Sequence, residues 1–278
     1  MKSIKKLIFQ LILAFFSLFS LFCTSQEENL ILEIFDFRLD LCCVGSSSKC
    51  VELCDEKLEE CKSRFESENI GEGTRIIVEN ILAQEKYNNI YADFPKSKEL
   101  KPLITNRYTV TKDFLDSNKE LASDISKYFY VVAGDILSSS LQFLSLSKAM
   151  NEGLQIKIYY EKALEIDPEY SYCLANYGQW LYHAPGFAGG SKKDAMDCFH
   201  KASQNAKTPF EIYYSNFLVS QTEFENKNYA EASVALEKSL SAREGNVYMN
   251  FIKRINELGY SIFYYIPNRE KVDKLLAE

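Results

Sequence analysis

Five cysteines, Cys42, Cys43, Cys50, Cys54 and Cys61, crowd one short stretch of a chain that has only 8 in 278 residues. Thiols at this density form disulfides, ligate a soft metal or stay free. Residues four apart on a helix hold their Cβ atoms about 5–6 Å apart, beyond the ~3.8 Å that a disulfide wants. A bridge must therefore cross the Gly45-Ser46-Ser47-Ser48 turn, and the simplest pairing joins Cys43 to Cys50 and Cys42 to Cys54. Cys50-x3-Cys54 also has zinc-ligand spacing, but no histidine lies nearby. We expect disulfides first, free thiols second and a metal last.

Nothing else in the chain makes a strong catalytic constellation. His183 and His200 are the two histidines, too few for a zinc hydrolase, and no serine stands in a Gly-x-Ser-x-Gly elbow. His200 reads as a helix-surface residue beside core Phe199. Cys173 and Cys198 read as small apolar fillers, with a disulfide between them as the alternative. The run Gly189-Gly190-Ser191-Lys192-Lys193 has the materials of an anion cradle, since glycines and a helix start present amides and the lysines add charge. It lacks the spacing and the preceding strand of a P-loop. A helix connection capped by Ser191, with Asp194 at the capping-box position, is the plainer expectation, and partner contact is a third. We expect no enzyme, no cofactor and no metal.

The elements that position these residues begin with an export signal. Lys2, Lys5 and Lys6 precede an uncharged run from Leu7 to Phe22, short for a membrane span of ~20 residues. Residues 1–22 are expected to be removed, with Cys23 as the lipidated first residue of an exported periplasmic or cell-surface lipoprotein. A cut after Ser25, releasing a soluble protein, is the rival. Without Lys2, Lys5 and Lys6, 29 basic face 39 acidic side chains, a net charge of −10. That balance excludes nucleic acid as the natural partner. With 46% apolar and 14% aromatic residues the rest can bury a substantial core.

Residues 23–69 form a Cys-rich segment. Phe35 to Leu41 alternates apolar and charged residues as a strand would, with a helix as the alternative. From Lys49 to Phe65 the pattern is helical, with Cys50, Cys54, Leu58 and Cys61 on one face. Beyond Gly71 all is helical. Thr74 is expected to cap the first helix, Pro95 and Pro102 to break the next stretch, Gly134 to interrupt a long pattern from Asp113 to Met150, and Gly153 to end it. Six further helices are expected at Ser171–Tyr182, Ser191–Gln204, Pro209–Glu225, Tyr229–Arg243, Asn246–Leu258 and Arg269–Leu276.

Within this helical region one spacing recurs: Ile156…Tyr160…Ala163, Ala195…Phe199…Ala202 and, more weakly, Ala232…Leu236…Ser239. Small residues at fixed intervals let a neighbouring helix approach, and the larger one fills the space between. The run Tyr160 to Pro168 resembles the second helix of a tetratricopeptide repeat. On that frame Leu174, Tyr177, Gly178 and Leu181 pack the first helix of the middle copy, and seventeen residues where twelve are usual mark an insertion at 183–191. Pro185-Gly186-Phe187-Ala188-Gly189-Gly190-Ser191 followed by Ala195 and Phe199 is similar to the T-component family of TRAP transporters. Members of that family are exported helical lipoproteins that associate with periplasmic solute-binding subunits.

The expected fold is thus all-α, a solenoid of tetratricopeptide-like hairpins over residues 70–278 with residues 23–69 as a small appendage. The resemblance implies a concave groove lined by first helices, presenting Tyr172, Asn176, Gln179, Trp180, Tyr182 and His183. Packing against adjacent helices is the alternative for these side chains, and for Trp180 the two readings are evenly balanced. The basic clamp by which some repeat proteins hold a terminal carboxylate is not reproduced, since Ala175 replaces a basic residue. The expected function is an envelope-tethered scaffold that binds another envelope or periplasmic protein. A transporter accessory handling a small ligand, with a solute-binding protein as partner, is the alternative.

Overall fold

The computed structural model describes residues 26–119 and 125–276. The expected export segment, Cys23 and the rival cut after Ser25 lie outside the described residues. In chain order the helices are α1 (residues 26–41), α2 (Ser47–Ser67), α3 (Glu72–Asp93), α4 (Leu100–Ser117), α5 (Lys127–Ser140), α6 (Leu146–Ile166), α7 (Ser171–His183), α8 (Lys192–Asn205), α9 (Pro209–Glu225), α10 (Tyr229–Ser241), α11 (Val247–Glu257), α12 (Ile262–Tyr265) and α13 (Arg269–Leu276). Every regular element among the described residues is helical. None of these helices is long and apolar enough to cross a membrane.

The six late helices fall within two residues of their expected bounds because the sequence marks their ends. Thr208 caps α9 through the Glu211 amide, Glu211 reaches back in a capping box, and Pro209 occupies the first turn, where its missing N–H costs nothing. Ser191, Ser126 and Asn246 cap α8, α5 and α11 with their side chains. The short α12 was not foreseen, and its four residues are too few to show a period.

Earlier in the chain several expectations fail. Thr74 lies inside the first turn of α3, whose N-cap is Gly71. Pro102 does not break α4; it stands in the first turn, where no partner N–H is required. Neither Gly134 nor Gly153 interrupts a helix, since α5 and α6 run through them. A single helical glycine costs only about 1 kcal/mol relative to alanine.

Consecutive helices pack in adjacent pairs: α2 with α3, α5 with α6, α7 with α8, and α9 with α10. Two pairs close on a glycine. A Cβ built on Gly178 would lie 2.6 Å from Phe199 Cε1, and one on Gly134 would lie 2.5 Å from Tyr160 Cε1. Buried serines add cross-helix bonds, Ser171 Oγ donating to the Ala202 carbonyl at 2.8 Å and Ser239 Oγ to that of Tyr213 at 2.8 Å.

The N-terminal segment is not an appendage. Leu30, Ile31, Ile34, Phe35 and Leu39 of α1 and Cys61 and Phe65 of α2 belong to the same core as the later helices. Residues 35–41 are helix rather than strand, because the burial period over the longer window Leu30 to Leu39 is that of a helix face. Along its length α1 meets odd-numbered helices in turn. Tyr128 of α5 donates to Glu28 at 2.5 Å, Arg38 pairs with Glu85 of α3 at 2.7 Å, and Phe35 packs on Tyr172 of α7 and Phe210 of α9. At its C-terminal end the Cys42 carbonyl accepts the first amides of α11, Val247 N at 2.9 Å and Tyr248 N at 3.4 Å. A helix's negative end thereby meets a positive one.

Candidate functional site

Phe35 and Arg38 of α1 cover Tyr172 on the surface expected as an open groove, and beside them lies a cavity of about 850 Å³. It is walled by α3, α5, α6, α7 and the 184–188 loop, and Arg38 of α1 and Tyr214 of α9 reach its floor. Its size falls within the ~300–1,000 Å³ usual for small-molecule sites. Five of the six expected groove residues line it: Tyr172, Asn176, Gln179, Trp180 and His183. They share a wall because α7 places residues three and four apart on one face. Tyr182 points elsewhere, stacking on Phe263 at 4.5 Å and donating to Glu225 at 2.6 Å.

Tyr172 organises the floor. Arg38 Nη1 donates to its hydroxyl at 2.9 Å, and that hydroxyl donates to Asp135 Oδ2 at 2.6 Å. Tyr160 donates to Asp135 Oδ1 at 2.8 Å, and Asn176 Nδ2 reaches Oδ2 at 3.5 Å. Tyr214 donates to Asn176 Oδ1 at 2.7 Å, and Gln179 Nε2 donates to the Tyr214 hydroxyl. Arg38 also lies 4.6 Å above the Phe210 ring, so its cation is sandwiched between a carboxylate and aromatic faces.

Burial raises the Asp135 carboxyl to about 6, against the downward pull of the Tyr172 and Tyr160 hydroxyls and of Arg38. Burial works against the Arg38 charge, yet Tyr172 and Glu85 outweigh it and hold that guanidinium above its ordinary value. Trp180 is tied to the α6 wall, its indole N–H donating to the Gly153 carbonyl at 2.9 Å.

Sequence reasoning missed Arg38, Asp135, Tyr160 and Tyr214. A signal for one was present: Asp135 is the lone charge in the apolar run Tyr128 to Leu137, and a buried acid in such a run asks for partners. Arg38 could not be placed without knowing that α1 threads between α3 and α7.

The loop residues Gly189, Gly190 and Ser191 perform structural work. Gly189 adopts φ 95°, the left-handed region open to glycine. A Cβ on Gly190 would fall 1.8 Å from the Ala184 carbonyl oxygen. Ser191 accepts the Asp194 amide at 3.2 Å, which takes up one of the amides an anion would need. Lys192 lies over the Tyr182 ring at 4.5 Å.

The disulfide candidates Cys42, Cys43, Cys50 and Cys54 are all free thiols. Each faces a different neighbour: Cys42 donates to the Tyr213 hydroxyl at 3.3 Å, Cys43 to the Glu244 carbonyl at 3.4 Å and Cys50 to the Leu41 carbonyl at 3.7 Å, while Cys54 is fully buried. The turn carries α2 back along α1 without opposing the thiols, so the expected pairing does not form. Burial pushes the Cys42 thiol up to about 12, which makes it inert. Cys173 and Cys198 are free as well, Cys173 donating to the Tyr160 carbonyl at 3.4 Å. No cluster of His, Cys, Asp and Glu among the described residues could hold a metal ion. His200 is half-exposed on α8 and pairs with buried Glu223 at 2.8 Å.

No family model matches this chain, and no curated protein matches it.

Proposed function

We propose that this chain is a non-enzymatic, envelope-tethered binding protein, built on tetratricopeptide-like hairpins, that holds a small organic ligand in the cavity between α3, α5, α6 and α7. The observation that carries this reading is the cavity itself, a space of about 850 Å³ beside Arg38 of α1. Its wall mixes fixed polar groups with apolar side chains, as ligand sites do. None of the described cysteines lines it, and its one carboxylate is already engaged by two tyrosine hydroxyls. This arrangement suits binding better than proton transfer.

The transporter-accessory alternative gains from the same cavity. Lipidation at Cys23 remains part of the proposal and rests on the export-like N-terminus. A partner-protein role is favoured by one feature, the residues Leu146 and Phe187, which are 80% and 84% exposed at one end of α6 and on the 184–188 loop.

Native mass spectrometry of the chain purified from its own cells tests the ligand reading. A bound small molecule that is lost in Leu154→Trp, which fills the cavity mouth, is the expected result. A chain that carries no ligand and whose melting is insensitive to any metabolite extract would sink it.

A further inference from the structure

Two features of the cavity go beyond its existence. The first is electrical. Arg38 and Asp135 are the guanidinium and the carboxylate that line it, with His183 as a further titratable side chain, and the first two are not equivalent. Arg38 is matched by Glu85 at 2.7 Å. Asp135 makes no salt bridge among the described residues, and its hydrogen bonds come from the neutral Tyr160, Tyr172 and Asn176 side chains. One guanidinium thus serves two carboxylates, Glu85 directly and Asp135 through the Tyr172 hydroxyl, which leaves an excess negative charge beside a lining that includes Tyr160, Tyr172 and Tyr214. Aromatic rings beside a carboxylate are the usual surroundings of a bound ammonium group.

The second feature is the mouth. Met150 and Leu154 lie one turn apart on α6, and Phe187 stands on the 184–188 loop; all three line the cavity, yet they are 55%, 46% and 84% exposed. Leaving such side chains in water forgoes about 25 cal/mol for each Å² they could bury. An apolar chain passing between α6 and the loop would cover them.

We propose that the cavity takes an amphipathic ligand with a cationic ammonium head, the head beside Asp135 and the apolar tail against Met150, Leu154 and Phe187. This rests on the ligand-binding reading above. A carboxylate head is disfavoured, because Arg38 is already neutralised and Asp135 would repel it. The elevated Asp135 carboxyl, at about 6, is still largely ionised at neutral pH and gives its charge up readily only without a cation nearby.

Isothermal titration of the full chain at neutral pH with octyltrimethylammonium, octanol and octanoate separates the claims. The cation is expected to bind about tenfold more tightly than the alcohol, and the carboxylate most weakly. Asp135→Asn, with its helicity checked by circular dichroism, should erase the preference for the cation and keep octanol binding. Should that variant not fold, the salt dependence of the native chain decides: affinity for the cation should weaken with added salt while that for octanol does not. Equal binding of the three probes, or tighter binding of octanoate, overturns the charge assignment and leaves the cavity reading standing. Failure of all three to bind overturns both.

Discussion

In α7–α8 the edge of Phe199 enters the space left by Gly178; in α5–α6 the edge of Tyr160 enters the space left by Gly134. The two pairs share a packing device and differ by one hydroxyl. Phe199 is fully buried with nothing polar to satisfy, so its own contact with Gly178 is one of packing alone. The Tyr160 hydroxyl continues past the contact to Asp135 at 2.8 Å, and so ties the second pair to the cavity floor. A structural slot becomes part of a cavity lining when the residue filling it gains a polar tip.

The contrast can be broken at its strongest point first. Phe199→Ala should cost about 3–5 kcal/mol in urea unfolding and leave ligand affinity nearly unchanged, since Phe199 does not line the cavity. A loss of affinity as large as that seen on altering the floor would erase the distinction between the pairs.

Next comes the charge at the floor. Asp135 has a pKa of about 6 in the fold against ~3.9 when unfolded, so the folded state binds its proton more tightly. Its contribution to stability is fully present below about pH 4 and declines as pH rises through 6, by roughly 3 kcal/mol. Asp135→Asn should remove that slope, which is read as the difference in unfolding free energy between native and variant chains across this window. A difference that does not change with pH would mean that the carboxylate is better solvated than its surroundings imply.

The glycine contacts sharpen the comparison further. Gly178→Leu and Gly134→Leu should each cost about 1–3 kcal/mol by overpacking, seen as lowered melting temperatures, because a Cβ at either site meets a ring edge at 2.6 or 2.5 Å. Only the second should also weaken ligand binding, by displacing Tyr160 from Asp135. The smallest effect belongs to Tyr160→Phe, which makes the two pairs chemically alike. Losing one of the donors to Asp135 should cost about 1 kcal/mol and raise the pH at which the carboxyl titrates, measured by the same unfolding series.

The legibility of the fold divides along the chain. From Ser171 onward, caps such as Ser191, Thr208 and Asn246 stand where a helix must begin, and small residues mark where helices meet; both signals are local. Before Ser171 the text is right about the helix at Lys49–Phe65 and the break at Pro95 but misleads elsewhere. Phe35 to Leu41 alternates like a strand, and its helical period emerges only when Leu30, Ile31 and Ile34 are included. The cysteines look like a disulfide framework because their spacing is conspicuous, yet their thiols face Tyr213, Glu244 and Leu41 instead of one another.

By itself the sequence determined the helical class, the bounds of the late helices and the glycine at a helix contact. Those features follow from neighbours a few residues away, within the reach of hydrogen-bonding and helical periodicity. Tertiary structure alone decided that α1 lies against α3, α5, α7 and α9, and that Arg38, Asp135, Tyr160 and Tyr214 meet beneath the cavity. Arg38 and Tyr172 are 134 residues apart along the chain, and no local pattern reports a contact that is set by which apolar faces remain to be covered once every pair has formed.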